Sequence, residues 1–242
     1  MKTLKSAFIL GGTSTIAKAI CTRLAKSGCK KFHLVSRDIK SNSKFINYLQ
    51  SNYGVSITQE EQDLLANSSL EFPFFPKVDF YDLYVVASGY LGDSKLAQLN
   101  PIEGLKINSV NYSGLIPWIT EITKYERIKS KGCLWIFTSV AGDRGRPSNY
   151  HYGASKAALS IFCEGLLLRC YKKPFSIRII KAGYMETPMA SDAPKFLCIS
   201  PKKVAKHLMK NPYKRGFEYL PWWWGIIMFF VRLLPVQFAA KL

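Results

Sequence analysis

Tyr152 and Lys156 lie four residues apart in the stretch SVAGDRGRPSNYHYGASK, and Ser139 stands 13 residues before the tyrosine. On a helix, side chains at i and i+4 share a face. A helix that starts near Tyr152 therefore points its phenol and the Lys156 ammonium the same way. A cation beside a phenol favours the phenolate and draws the tyrosine pKa down from about 10. Such a phenol can hand a proton to a carbonyl oxygen. Ser139, at the end of a preceding strand, would hold the same oxygen.

The flanking sequence supplies the elements this chemistry needs. Residues 133–139, CLWIFTS, read as a buried strand, AGDRGRPSN as a polar loop, and GASKAALSIFCEGLLL as a helix rich in small residues. Further strands are expected at 6–10, 31–35, 55–59, 83–88, 176–183 and 217–220. Helical spacing of Ile16, Ile20 and Leu24 ends at Gly28, and a second helix, capped by Ser41 or Ser43, ends near Gly54. Pro101 opens a helical stretch that runs with breaks to Lys129 and is kinked by Pro117. Ser200-Pro201 forms an N-cap with proline at the first helical position. Residues 71–81, rich in aromatics and proline, read as irregular. Strands alternating with helices indicate an α/β fold: a doubly wound, mostly parallel sheet of the Rossmann kind. Residues 1–220 form its single domain, and 221–242 an apolar, aromatic tail.

A chain of 242 residues with 48% hydrophobic content has ample core for one such domain. Its 34 Lys and Arg against 16 Asp and Glu give a net charge of +18, which favours anionic partners. No basic run reaches five residues and no nucleic-acid-binding signature is present, so phosphate or anionic lipid is the expected partner. The six cysteines form no CxxC pair and suit buried free thiols in a reducing compartment. The three histidines have no spacing partner for a metal. The apolar run after Lys2 and Lys5 is only AFIL, too short for a signal peptide, and reads as the first strand.

The Ser–Tyr–Lys spacing resembles that of the short-chain dehydrogenase/reductase family in its compact form, a resemblance that runs from residue 5 to about 220. The loop wording SVAGDRGRPSNYHYGASK is most similar to the branch that reduces decaprenyl- and other polyprenyl-phosphate-linked keto-pentoses in cell-envelope synthesis. The resemblance implies hydride transfer from a nicotinamide to a ketone carbon. Tyr152 is then the general acid, Lys156 its partner and ribose anchor, Ser139 the carbonyl-orienting hydroxyl, and Asn111 in VNYSG the helix asparagine of a proton relay, with Asn108 as its rival. Tyr150 is a rival acid without a lysine at i+4.

LGGTSTIAKAI falls between the first strand and the first helix, where a glycine turn lets backbone approach a pyrophosphate. The family pattern is TGxxxGxG. Gly11 matches its first glycine, while Thr15 and Ala17 take the places of the later two. The cofactor set there is Gly11, Thr13, Ser14, Thr15 and Ile16. At the end of the second strand Ser36 stands where NAD-specific sites carry an acid, and Arg37 offers a guanidinium to a 2′-phosphate, which selects NADPH. Asp38, one residue later, keeps NADH open. Asp63 and Leu64 resemble the family's adenine contact, and Ala87, Ser88 and Gly89 its NAG segment. Gly183, Tyr184 and Thr187 match the nicotinamide-contacting stretch. Arg144 and Arg146, five and seven residues beyond Ser139, are expected to line the substrate mouth.

Trp222 to Val231 is ten residues without a charge. As a helix it would span about 15 Å, half of the about 30 Å core of a bilayer. Adjacent tryptophans suit the headgroup boundary, where an apolar ring with a polar N–H is stable. The expectation is a cytoplasmic protein attached peripherally to the inner face of a membrane, with a dimer interface and a true membrane span as the alternative uses of the tail. Its substrate would be a small-molecule or lipid-linked ketone. A fatty-acyl or steroid-type ketone reductase, and a catalytically idle NADP-binding scaffold, are the alternative functions.

Overall fold

The first strand shows how the sheet is built. In β1 (Ser6–Leu10), Ala7 and Ile9 enter one apolar cluster with Ile20, Leu24 and Leu34, while Phe8 and Leu10 enter another with Tyr84, Trp118 and Ile119. Successive strand residues point to opposite faces, so a strand apolar at every position must be covered on both. In this computed structural model, residues 4–71, 73–191 and 193–241 are described.

The chain continues through α1 (Thr15–Lys26), β2 (Lys31–Ser36), α2 (Ser43–Tyr53) and β3 (Ser56–Glu61). After an irregular stretch come β4 (Leu83–Val86), α3 (Ser94–Leu99), α4 (Pro101–Asn111), α5 (Ile116–Ile122) and α6 (Tyr125–Ile128). The second half comprises β5 (Gly132–Ser139), α7 (Tyr150–Arg169), β6 (Phe175–Ala182), α8 (Pro201–Leu208) and β7 (Gly216–Leu220), and the tail forms α9 (Trp223–Leu233) and α10 (Val236–Ala239). The strands form one parallel sheet in the order β3-β2-β1-β4-β5-β6-β7. The order reverses between β1 and β4, so their carboxyl ends open the crevice in which such sheets bind ligands.

Several local expectations change. β3 runs on to Glu61, and Glu60 pairs with His33 at 3.2 Å instead of starting a loop. β4 stops at Val86, which leaves Ala87 to Gly89 as a loop over the crevice. The N-cap of α2 is Asn42, not a serine, and its side chain makes no capping bond. Pro117 opens α5 rather than kinking a longer helix, because a first-turn proline loses no hydrogen bond. The break falls earlier, at Tyr112. Ser200 does cap α8, accepting from Lys203 N. The first five cysteines are buried free thiols and Cys198 is half-buried.

Helix α9 is apolar on every side. Trp224 and Met228 are buried against Val140 of the β5–α7 connection, with half-buried Val231 beside them. Trp222, Ile226, Phe229, Phe230 and Leu233 are exposed. No helix among the described residues is long and apolar enough to cross a membrane.

Candidate active site

Close packing of α7 against the end of β5 assembles the centre. Ser139 ends β5 and caps the tight turn 140–142, its Oγ accepting from Ala141 N at 3.1 Å. A Cβ on Gly142 would stand 2.7 Å from Ala157 N, and Gly153 faces Ala141 O at 2.8 Å in the same sense. Only small residues let this turn and the first turns of α7 approach so closely. The approach brings Tyr152 into hydrogen-bonding reach of Ser139.

Lys156 sits one turn further along α7, 2% exposed, with Nζ 5.9 Å from the centre of the Tyr152 ring and 3.4 Å from Phe137 O. Burial pushes its ammonium down to about 8. The tyrosine departs from expectation. Burial pushes the Tyr152 phenol up, and the groups that oppose this are Ser139, by hydrogen bond, and Arg146, by charge. Lys156 is itself desolvated and approaches the ring, so the lysine does not pull the phenol down as the spacing suggested. A phenol held protonated near neutral pH is loaded to give its proton to an oxygen.

Asn111 closes the far side. It is fully buried, its Oδ1 accepts from Tyr90 N at 2.8 Å, and its Nδ2 donates to Tyr90 O at 2.7 Å. Its rival Asn108 is exposed. The clamp fixes the neighbouring Gly89, whose Cβ position would lie 3.5 Å from both Asn111 Oδ1 and Lys156 Nζ. Glu103, which sequence reasoning did not single out, grips the same loop by accepting from Tyr90 OH at 2.8 Å and Asp93 N at 3.1 Å. Tyr150 is exposed, and its ring lies tilted against His151 at 4.5 Å.

The crevice fits a dinucleotide. Gly11 has φ +92, and a Cβ there would stand 2.6 Å from Ser88 N and Oγ, so the turn after β1 and the loop after β4 meet backbone to backbone. Gly11 N and Gly12 N both donate to Val35 O. Ser14 caps α1 by accepting from Ala17 N, which sets the helix N-terminus behind exposed Thr13 and Thr15, while Ile16 and Ala17 are buried. Ala17 is fully enclosed, which explains why a small residue suffices where the family carries glycine. At the end of β2 the Ser36 hydroxyl is buried without a partner, and Arg37 is exposed. Asp38 turns to its own backbone, accepting from Lys40 N and Ser41 N. Asp63 is exposed and accepts from Leu65 N, and buried Leu64 presses its carbonyl on Gly114. The unpartnered serine, the glycine cradle and a buried lysine without a carboxylate are the features a nucleotide with ribose and phosphate groups would satisfy.

Gly183, Tyr184 and Thr187 begin the segment after β6. Gly183 N donates to Leu220 O, Thr187 N to Met185 O, and Ile199 N closes the segment on Tyr184 O. Trp224 stands against Gly183 and edge-on to Tyr184, at 5.6 Å.

The two arginines part company. Arg146 lies close enough to act on Tyr152, and its Nε is buried without a partner. Arg144 instead donates to Arg232 O and Leu234 O, both at 3.0 Å, at the C-terminal end of α9. Orphan carbonyls at a helix end attract a cation, and they engage the guanidinium expected at the substrate mouth. Asp143, also missed, accepts from Lys181 Nζ and from Tyr219 OH. Lys181, like Arg178 in the same strand SIRIIKAG, needs a carboxylate partner, and that was the available signal.

Known proteins resemble the chain throughout. A crystal structure of actinorhodin polyketide ketoreductase with NADPH matches at TM-score 0.69 and 20% identity, covering 86% of this chain and 89% of that one. A putative 2-deoxy-D-gluconate 3-dehydrogenase from Agrobacterium tumefaciens with bound NADP matches at TM-score 0.73 and 15% identity, covering 92% and 96%. An uncharacterized oxidoreductase of Streptomyces coelicolor is 27% identical over 98% of this chain and 96% of its own length. Residues 5–196 match the family model described as short chain dehydrogenase, and the chain accordingly belongs to the short-chain dehydrogenase family of oxidoreductases.

Proposed function

We propose that this protein reduces a ketone to an alcohol with NADPH, and that the ketone belongs to a lipid- or polyprenyl-phosphate-linked keto-sugar met at a membrane surface. The observation that carries the reading is the cluster of buried Ser139 and Lys156 with half-buried Tyr152 at the carboxyl end of β5. Bound NADPH would supply the hydride. Ser139 keeps one Oγ lone pair on Ala141 N, and its hydroxyl hydrogen, within reach of the Tyr152 oxygen, turns to the substrate oxygen. Tyr152 donates its phenolic proton to that oxygen as negative charge develops there, and the two hydroxyls stabilise the alkoxide. Lys156, positive below about pH 8, offers the only buried cation one helical turn from the phenol among the described residues. Arg146 adds positive charge beside the phenol and suits a substrate with an anionic group.

Arg37 and Ser36 support the choice of NADPH. A free guanidinium next to an unpartnered hydroxyl matches a 2′-phosphate, and Asp38 is already engaged by two backbone N–H groups. The NADP- and NADPH-bound structures of similar fold agree with that choice.

The outward side of α9 supports the membrane. Five exposed apolar side chains on a three-turn helix, with Trp222 at its start, suit the interface of a bilayer, and a net charge of +18 draws the chain to anionic lipid. The experiment is NADPH oxidation with lipid-linked and free keto-sugars, together with mass spectrometry of ligands that co-purify with the protein. NADPH binding without turnover of any ketone would leave the scaffold reading in its place.

A further inference from the structure

The tail and the catalytic loop are fastened together at two points, and a third contact ties the loop to the strands before the tail. Trp224 packs on Val140, the residue after Ser139, and its Nε1 would stand 1.9 Å from a Cβ on Gly183. Asp143 takes Lys181 from β6 and Tyr219 from β7, immediately before the tail. Arg144 takes the last carbonyls of α9, Arg232 O and Leu234 O. The first part of the connection between the catalytic serine and the catalytic tyrosine is thus tied, through Val140, Asp143 and Arg144, to the tail and to the ends of β6 and β7.

The helix that does the holding is itself under-supported. It has 11 residues, too few to be stable alone in water. Its inward stripe of Trp224, Met228 and Val231 meets protein, while Trp222, Ile226, Phe229, Phe230 and Leu233 meet solvent. An apolar face on lipid removes that exposure and favours the formed helix. The carbonyls that Arg144 needs exist in that geometry only while the last turn is formed. Anything that favours the last turn therefore favours the observed placement of residues 140–144.

Building on the proposed ketone reduction at a membrane, we infer that Arg144 is a positioning residue that couples docking of α9 on an anionic lipid surface to the geometry of the Ser139–Tyr152 centre. It does not touch the substrate. Its guanidinium transmits the state of the helix to the loop, so lipid raises turnover even of a ketone dissolved in water. Coupling of this kind is reciprocal. NADPH, by favouring the ordered site, must also strengthen attachment to vesicles.

The test uses the full chain, NADPH, and dihydroxyacetone or cyclohexanone as soluble ketone, with vesicles of mixed phosphatidylglycerol and phosphatidylcholine or of phosphatidylcholine alone. The expectation is stimulation on the order of tenfold by the anionic vesicles, and tighter vesicle binding when NADPH is present. Arg144→Gln should lose both effects while still sedimenting with vesicles, and Arg144→Lys, which keeps a donor and a charge, should regain part of each. Phe229→Ser with Phe230→Ser should fail to sediment. Stimulation that persists in Arg144→Gln overturns the coupling and leaves ketone reduction standing. A wild type that ignores vesicles and runs as a dimer split by the double serine variant makes the face an interface between copies and overturns it as well. If Arg144→Gln does not fold, the wild-type response to vesicles and the effect of NADPH on sedimentation decide the matter, and absence of both overturns the coupling. Absence of NADPH oxidation under every condition removes the proposed reaction, and this inference with it.

Discussion

Gly183 and Trp224 are in contact so close that the glycine has no room for a single methyl group: a Cβ would stand 1.9 Å from the indole Nε1 and 2.2 Å from Cδ1. Gly183 N is held by Leu220 O, so the backbone cannot readily retreat. The glycine that begins the segment after β6 is thus also the seat of the tail.

Gly183→Ala should destabilise the protein by about 1–3 kcal/mol, the usual cost of overpacking. On a Trp224→Ala background the same change should cost much less, because the clashing ring is gone. A double-mutant cycle by thermal unfolding should give a coupling of at least about 1 kcal/mol. Additive effects would show that the indole does not occupy this seat.

Activity should fall as pH rises through about 8, the value to which burial lowers the Lys156 ammonium. The protonated lysine is the working form, so the loss lies on the alkaline side. A pH profile of kcat/KM checks this. A limb that stays flat up to about pH 10, the ordinary range of a lysine, would contradict it.

Glu218 governs stability on the acid side. Burial works to raise its carboxyl, but Lys214, His207 and Arg178 together outweigh burial and hold it below the usual range. Its folded pKa lies under its unfolded one, so the unfolded chain binds more protons at low pH. The contribution is present above about pH 4.3, the unfolded value, and is lost as pH falls through the folded one. Glu218→Gln would leave Arg178, 1% exposed, without its carboxylate. The expected cost is about 3–5 kcal/mol, or a fall of about 10 °C in Tm. A shift of a degree or two would mean that Leu208 O and Asn211 O alone satisfy the guanidinium.

Arg37→Ala should weaken NADPH binding by at least about tenfold, from a charge-assisted contact worth about 1.5–3 kcal/mol, and leave NADH nearly unchanged. Calorimetric titration with each cofactor checks the difference. Equal losses would remove the arginine from the 2′-phosphate.

What the sequence revealed follows the range of the interactions. The sheet was legible because its strands are near-continuous apolar runs such as CLWIFTS, bounded by turn residues. Ser139, Tyr152 and Lys156 were legible because one strand, one loop and one helix turn bring them together. Ser200 as a cap and Gly11 as a turn are equally local. The bonds of Arg144 to the end of α9 were not legible because their partners are 88 and 90 residues away. The Tyr152 phenol was misjudged because spacing shows the neighbouring cation but not the burial that outweighs it. Pro117 was misread because a proline inside a helical pattern and a proline opening the next helix look alike until the break at Tyr112 is seen.

The proposed reaction turns on the Tyr152 phenol giving its proton to a ketone oxygen. NADPH oxidation with a keto-sugar, compared between wild type and Tyr152→Phe, tests it most directly. Expected are turnover by the wild type and a loss of about 10²–10⁴-fold in kcat in the variant, with NADPH affinity nearly unchanged because the ring still packs. A variant that keeps more than about a tenth of the wild-type kcat, where acid catalysis should be worth at least a hundredfold, would contradict it.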